Sequence, residues 1–137
     1  MKTSLLVKVD LMASHSLAGN EVPHPHRFRI VVEVTGHPVE GRIIDLPSFE
    51  SAVVDRVRPL QNQYLNESET VDSSVRAFPT CETIAAFLFP RVDQDVLSRF
   101  RNLNPSLRLT SVSVTLFDLD SPDGRPGKEY GTARVSD

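Results

Sequence analysis

Two alternating runs joined by a short polar stretch constrain this chain more than any other feature. Residues 4 to 13, Ser-Leu-Leu-Val-Lys-Val-Asp-Leu-Met-Ala, set Leu5, Val7, Val9 and Leu11 on one side and Leu6, Lys8 and Asp10 on the other. That is the period of a strand with one buried face. The alternation carries into His15, Ala18-Gly19-Asn20 is a turn signal, and Phe28 to Thr35 is a second run rich in β-branched residues. Two such runs so joined read as an antiparallel hairpin.

Three of the chain's four histidines fall at the mouth of that hairpin. If the second strand includes His24 and His26, their side chains project from one face, and the hairpin can bring His15 alongside. Three imidazoles with a fourth position open match a catalytic zinc, which keeps three protein ligands plus water or substrate. The alternative is that His24 and His26 are hydrated loop residues and His15 a partly buried polar one.

The remaining pattern completes a small α+β domain. Gly36-His37-Pro38 ends the second strand, with His37 a turn residue, and Gly41 to Leu46 looks like a brief extension. Pro47, Phe49, Ala52, Val53, Val57 and Leu60 form a helical stripe that ends near Arg58-Pro59, with Asp45 or Leu46 near its cap. Residues 61 to 78 are polar and read as a long loop. A second helix follows Pro79-Thr80, with Thr80 as its cap and Glu82 near the positive end of its dipole. Pro90 is expected to kink or interrupt it before Val92, Val96, Leu97 and Phe100 resume the stripe. A third strand is expected at Leu107 to Asp118, and a short final one at Glu129 to Val135 after a turn-rich loop.

With 137 residues, 39% of them apolar and 24% charged, the chain suits one domain over residues 1–137. A net charge of −3 with both signs scattered gives no basic stripe for nucleic acid, and Arg56, Arg58, Arg99 and Arg101 are expected to face solvent. The single cysteine excludes an internal disulfide. No leader or run of about 18 apolar residues is read. A cytoplasmic protein without nucleic-acid or membrane partners is expected.

The order strand, strand, helix, helix, strand, strand comes with a set of short motifs. These are Ala13-Ser14-His15-Ser16-Leu17, His24-Pro25-His26, Gly41-Arg42-Ile43-Ile44-Asp45-Leu46, Leu65-Asn66 and Phe78-Pro79-Thr80-Cys81-Glu82. Together they resemble the 6-pyruvoyl-tetrahydropterin and 6-carboxy-tetrahydropterin synthase family over nearly the whole chain. The resemblance implies a T-fold: a four-stranded antiparallel sheet with two helices on one face. Family members associate as trimers or hexamers into a β-barrel with substrate pockets between subunits. Closing a barrel would also remove two exposed sheet edges. The resemblance assigns a catalytic Zn2+ to His15, His24 and His26.

Three positions depart from the family pattern. The family's cysteine base, four residues before the first histidine of His-x-His, is Asn20 here; a variant that uses a glutamate three residues before it is matched by Glu21. Glu21 is then a candidate base, or else a solvated loop acid. The family's Asp-His proton relay corresponds to Gln61-Asn62 or Asn62-Gln63, amides that can orient a substrate but not relay a proton. Tyr64 is the nearest titratable substitute, or simply packing. The glutamate that anchors the pterin has become Leu116, with Asp118 one step further on the same face.

Thr80 and Cys81 occupy positions that contact pterin in the family. Cys81, at a helix start, is expected to have a lowered pKa, or to be a small buried filler. The chain is thus expected to be a zinc-dependent lyase similar to the tetrahydropterin synthases, acting on a small-molecule substrate with altered proton-transfer groups. One alternative is a lyase, dehydratase or cyclase repurposed for a non-pterin substrate, for which Leu116 supplies a less polar wall. The other is a non-catalytic zinc-bound binding scaffold.

Overall fold

The computed structural model describes residues 1–17 and 22–137. Two long strands, β1 (Thr3–His15) and β2 (His24–Gly36), pair antiparallel from Thr3↔Gly36 to His15↔His24. β3 (Arg108–Phe117) pairs with β2, and β4 (Glu129–Ser136) with β3, giving one antiparallel sheet in the order β1-β2-β3-β4. The alternation read from the sequence is realised: Val7, Val9, Leu11 and Ala13 are buried, while Leu6, Lys8 and Asp10 are exposed.

Helix α1 (Leu46–Val57) begins where Asp45 accepts the backbone N–H of Ser48 and Pro47 occupies the first turn. It passes into a 3-10 turn at Arg58–Leu60. The stretch expected to be a plain loop is more ordered than that. Asp72 accepts from the Val75 N–H and starts a five-residue helix, α2 (Ser73–Ala77). Before it, residues 61–66 run beside the outer edge of β1. The N–H of Asn62 donates to Met12 O, that of Ser14 to Gln63 O, and that of Leu65 to Ser14 O.

Helix α3 (Cys81–Arg91) is closed by a Thr80–Thr83 capping box. As expected, the α-helical pattern is interrupted just after Pro90, at Arg91. The chain stays helical through a π-helical segment at Val92–Leu97 into a last turn, α4 (Ser98–Phe100). The expected extension near Gly41 is instead a tight turn, with Glu40 and Gly41 at positive φ between the bridged Val39 and Arg42.

The helices cover one face of the sheet. Phe28, Ile30, Val32, Val34, Val112 and Val114 pack there against Phe49, Val53, Ile84 and Leu88, all with at most 0% exposure. The opposite face is polar, with Asp10 accepting from Arg29 Nε at 3.2 Å and from Arg27 at 3.4 Å. Among the described residues, no strand pairs with the outer edge of β4, and no helix is long and apolar enough to cross a membrane.

Candidate functional site

The register puts His15 and His24 opposite each other and His26 opposite Ala13, so all three imidazoles lie on the helix-covered face at one end of the sheet. His15 is buried, at 5% exposure. Its Nδ1 lies 2.8 Å from the carbonyl oxygen of Pro79, just before α3. The Nδ1 of His26 lies 3.1 Å from the carbonyl oxygen of Phe117, at the end of β3. A carbonyl oxygen only accepts, so Nδ1 is the donor in each bond, which makes Nε2 the lone-pair nitrogen of the neutral ring. The two rings meet edge to face with centroids 4.8 Å apart.

His24 opens β2 and is exposed, with its ring centroid 6.5 Å from that of His26. Among the described residues, no three His, Cys, Asp or Glu side chains converge at metal-ligand spacing. His15 and His26 fit a metal in donor chemistry, each with Nδ1 held by a backbone carbonyl. His24 shares their face, but its ring does not close the set in this conformation.

A cavity of about 360 Å³ begins at His15 and runs between the start of α3 and the sheet. Its sheet wall is mostly apolar, built from Phe28, Leu116, Gly131 and Ala133 with Thr132 among them. Thr80, Cys81 and Glu82 line it from the helix side, and Tyr130 from the start of β4. Leu116 pairs with Gly131 and lines this wall. Thr80 lines the cavity although its hydroxyl also accepts the Thr83 N–H at 3.2 Å.

Cys81 corrects the expectation of a lowered pKa. Its thiol is pushed up from 9.0 to about 11, first by burial and then by the neighbouring Glu82 carboxylate. Both effects outweigh the helix start and keep the thiol protonated at neutral pH.

Three other expected site residues take different parts. Gln61 is committed to the β1 backbone: its Oε1 accepts from Met12 N and its Nε2 donates to Asp10 O, both at 2.8 Å. Asn62 lies in the left-handed region, at φ 61, and lines a second hollow with Met12, Pro25, Leu119 and His26. Tyr64 shares a 2.7 Å hydrogen bond with the Ser16 hydroxyl, beside His15 in sequence but away from the cavity lining. Glu21 lies outside the described residues.

Asp118 does not line the cavity either. It sits just past β3, with Oδ1 3.6 Å from His26 Nδ1 and Oδ2 accepting from the Tyr130 hydroxyl at 2.8 Å. That bond pushes the Tyr130 phenol above its ordinary pKa. Sequence reading missed Tyr130, Gly131 and Ala133. Their signal was a short strand following a turn-rich loop, which fixes neither register nor face.

Among curated proteins, none matches the sequence significantly. In fold, the chain is similar to the 6-pyruvoyl tetrahydropterin synthase of Caenorhabditis elegans, at 15% identity and a TM-score of 0.68, over 100% of this chain and 96% of that one. It is also similar to an uncharacterised protein of Wolinella succinogenes, at 16% identity and a TM-score of 0.59, over 99% of this chain and 98% of the other. The sequence profile described as 6-pyruvoyl tetrahydropterin synthase matches residues 4–117. With the hairpin, the paired helices and the histidine face all inside that span, the chain belongs to the 6-pyruvoyl tetrahydropterin synthase family.

Proposed function

We propose that the chain is a zinc-dependent lyase of the tetrahydropterin synthase type whose proton-transfer groups differ from those of the family. The observation that carries this reading is the pair His15 and His26, each with Nδ1 held by a backbone carbonyl, at 2.8 and 3.1 Å. Such outer bonds orient ligating histidines and raise their basicity. His15, His26 and, from the exposed end of β2, His24 would hold the ion. Bound there, zinc would supply Lewis-acid polarisation of a substrate oxygen.

The chain's own residues would do the rest. Phe28, Leu116, Gly131 and Ala133 exclude water from one side of the ligand. The protonated Cys81 thiol offers a weak hydrogen bond at its Sγ and does not serve as a base. Glu82 offers a carboxylate acceptor on the helix side. Proton abstraction is assigned to Glu21, from its place in the connection between the two histidine-bearing strands. Tyr64, hydrogen-bonded to Ser16, is positioned to orient that connection rather than to touch the ligand.

Leu116 in the wall favours a second reading, a lyase, dehydratase or cyclase acting on a less polar oxygenated substrate than a pterin. A homo-oligomer, trimeric or hexameric, belongs to both readings, because the outer edge of β4 would find a partner on closure.

The experiment is zinc content by elemental analysis on protein purified without a histidine tag, beside His24→Ala, followed by turnover assays with dihydroneopterin triphosphate and dihydroneopterin. About one zinc per chain, lost in the variant, with pterin turnover abolished by Glu21→Gln, supports the first reading. Zinc without pterin turnover favours the second. A folded protein that takes up no zinc overturns both and leaves a binding scaffold.

A further inference from the structure

The β3–β4 register contains one irregularity close to the histidine face. Leu116 pairs with Gly131, but the next pair is Phe117 with Glu129, so Tyr130 is the extra residue of a β-bulge. Bulges re-aim side chains. This one places Tyr130 on the cavity rim while its hydroxyl donates 2.8 Å to Asp118 Oδ2. The other oxygen of that carboxylate stands 3.6 Å from His26 Nδ1, which also donates to Phe117 O. The backbone supports the arrangement, because the Asp118 N–H donates to Lys128 O at 2.9 Å and carries the pairing past the bulge.

We propose that Asp118 and Tyr130 are positioning residues for His26: the Tyr130 hydroxyl fixes the Asp118 carboxylate, and that carboxylate, with the Phe117 carbonyl, keeps the His26 proton on Nδ1 and its Nε2 turned to the metal. At 3.6 Å the carboxylate is at ion-pair rather than hydrogen-bond distance, and its negative charge favours a proton on the facing Nδ1. A neutral amide in its place removes that bias. The tyrosine acts only through the carboxylate. The inference rests on the zinc reading for its purpose, but the arrangement of the ring is a property of the metal-free chain.

The test has two arms on the full-length protein, each variant first checked for an unchanged thermal melt. In the first, zinc affinity is measured by competition with a chromogenic chelator for the native chain, Asp118→Asn, Tyr130→Phe, the double variant and His26→Ala. Asp118→Asn is expected to weaken binding by about 10–100-fold, as loss of an outer-sphere partner does. Tyr130→Phe should weaken it several-fold, and the double variant no further than Asp118→Asn alone. Single variants that bind like the native chain while His26→Ala loses zinc overturn the proposal and leave the zinc reading standing.

The second arm reads the His26 ring nitrogens by NMR in metal-free protein at mildly alkaline pH. The native ring should hold its proton on Nδ1, and Asp118→Asn, which leaves only the Phe117 carbonyl facing it, should add a measurable fraction of the other tautomer to give a mixture. If the native chain binds no zinc, the zinc reading fails and this arm decides alone: a mixture in the variant supports the positioning role, and an unchanged ring overturns it.

Discussion

The imidazole of His15 meets that of His26 edge to face, with ring planes at 81°, although the two sit on different strands and take their backbone partners from different elements. His15 is tied to Pro79 ahead of α3, whereas His26 is tied to Phe117 at the end of β3. The site is therefore a junction of sheet and helix, and its members differ in what they contribute to the fold.

That difference is measurable without metal. His15 is buried and bonded, so His15→Ala leaves a cavity and an unpaired Pro79 carbonyl. It is expected to cost about 1–3 kcal/mol. His24→Ala, at an exposed strand end, should stay within about 0.5 kcal/mol. Urea unfolding in excess chelator checks both. Equal costs would mean that His24 is held in the fold as firmly as His15.

Cys81 should behave as a quiet thiol. Raising its pKa from 9.0 to about 11 lowers the thiolate fraction at neutral pH by about 100-fold. The greater intrinsic nucleophilicity of a more basic thiolate returns about 10-fold. Alkylation by iodoacetamide is thus expected to be at least about 10-fold slower in the folded than in the urea-unfolded chain. The sign for stability follows. The folded pKa is the higher one, so the contribution of the neutral thiol is complete below 9.0 and is lost as pH rises through about 11. A folded-state rate equal to or above the unfolded one would make Cys81 an activated thiolate.

Gln61 holds an edge rather than a ligand. Its side chain accepts from Met12 and donates to Asp10, mimicking a strand partner where β1 would otherwise be open. Gln61→Ala is expected to destabilise the chain by about 1–2 kcal/mol while leaving ligand affinity of the cavity unchanged. Denaturant titration together with binding isotherms for dihydroneopterin would separate the two. A loss of affinity without loss of stability would return Gln61 to the binding site.

How far the sequence reached depends on which forces act locally. The period-2 alternation from Leu5 to Leu11 and the cap at Asp45 report on neighbours in sequence, and both appear as read. The shared face of the three histidines follows from the same alternation and a fixed hairpin register. Gln61, by contrast, finds its partners 49 and 51 residues away. Cys81 has a local signal, the helix start, that points the wrong way because burial and Glu82 outweigh it. The five-residue α2 was too short to show a stripe, and its start depends on a single Asp72 cap. Tyr130 reaches Asp118 through a bulge, and composition does not announce a bulge in an edge strand.

Leu116 offers the sharpest test of ligand class. It is half-buried in the cavity wall opposite Gly131, and nothing lies within 4 Å of where a side chain on Gly131 would begin. A longer acidic side chain at 116 therefore has space to turn into the cavity. If this is the position from which the family anchors its pterin, Leu116→Glu restores the carboxylate for the amino-pyrimidine edge. A charged hydrogen-bonded contact of about 1.5–3 kcal/mol corresponds to a gain of about 10–100-fold in affinity for a dihydropterin. Isothermal titration of the native and variant chains with dihydroneopterin reads this directly, with circular dichroism to verify the fold. A folded variant that gains nothing would separate this wall from pterin recognition and favour the less polar substrate for which the native Leu116 is already suited.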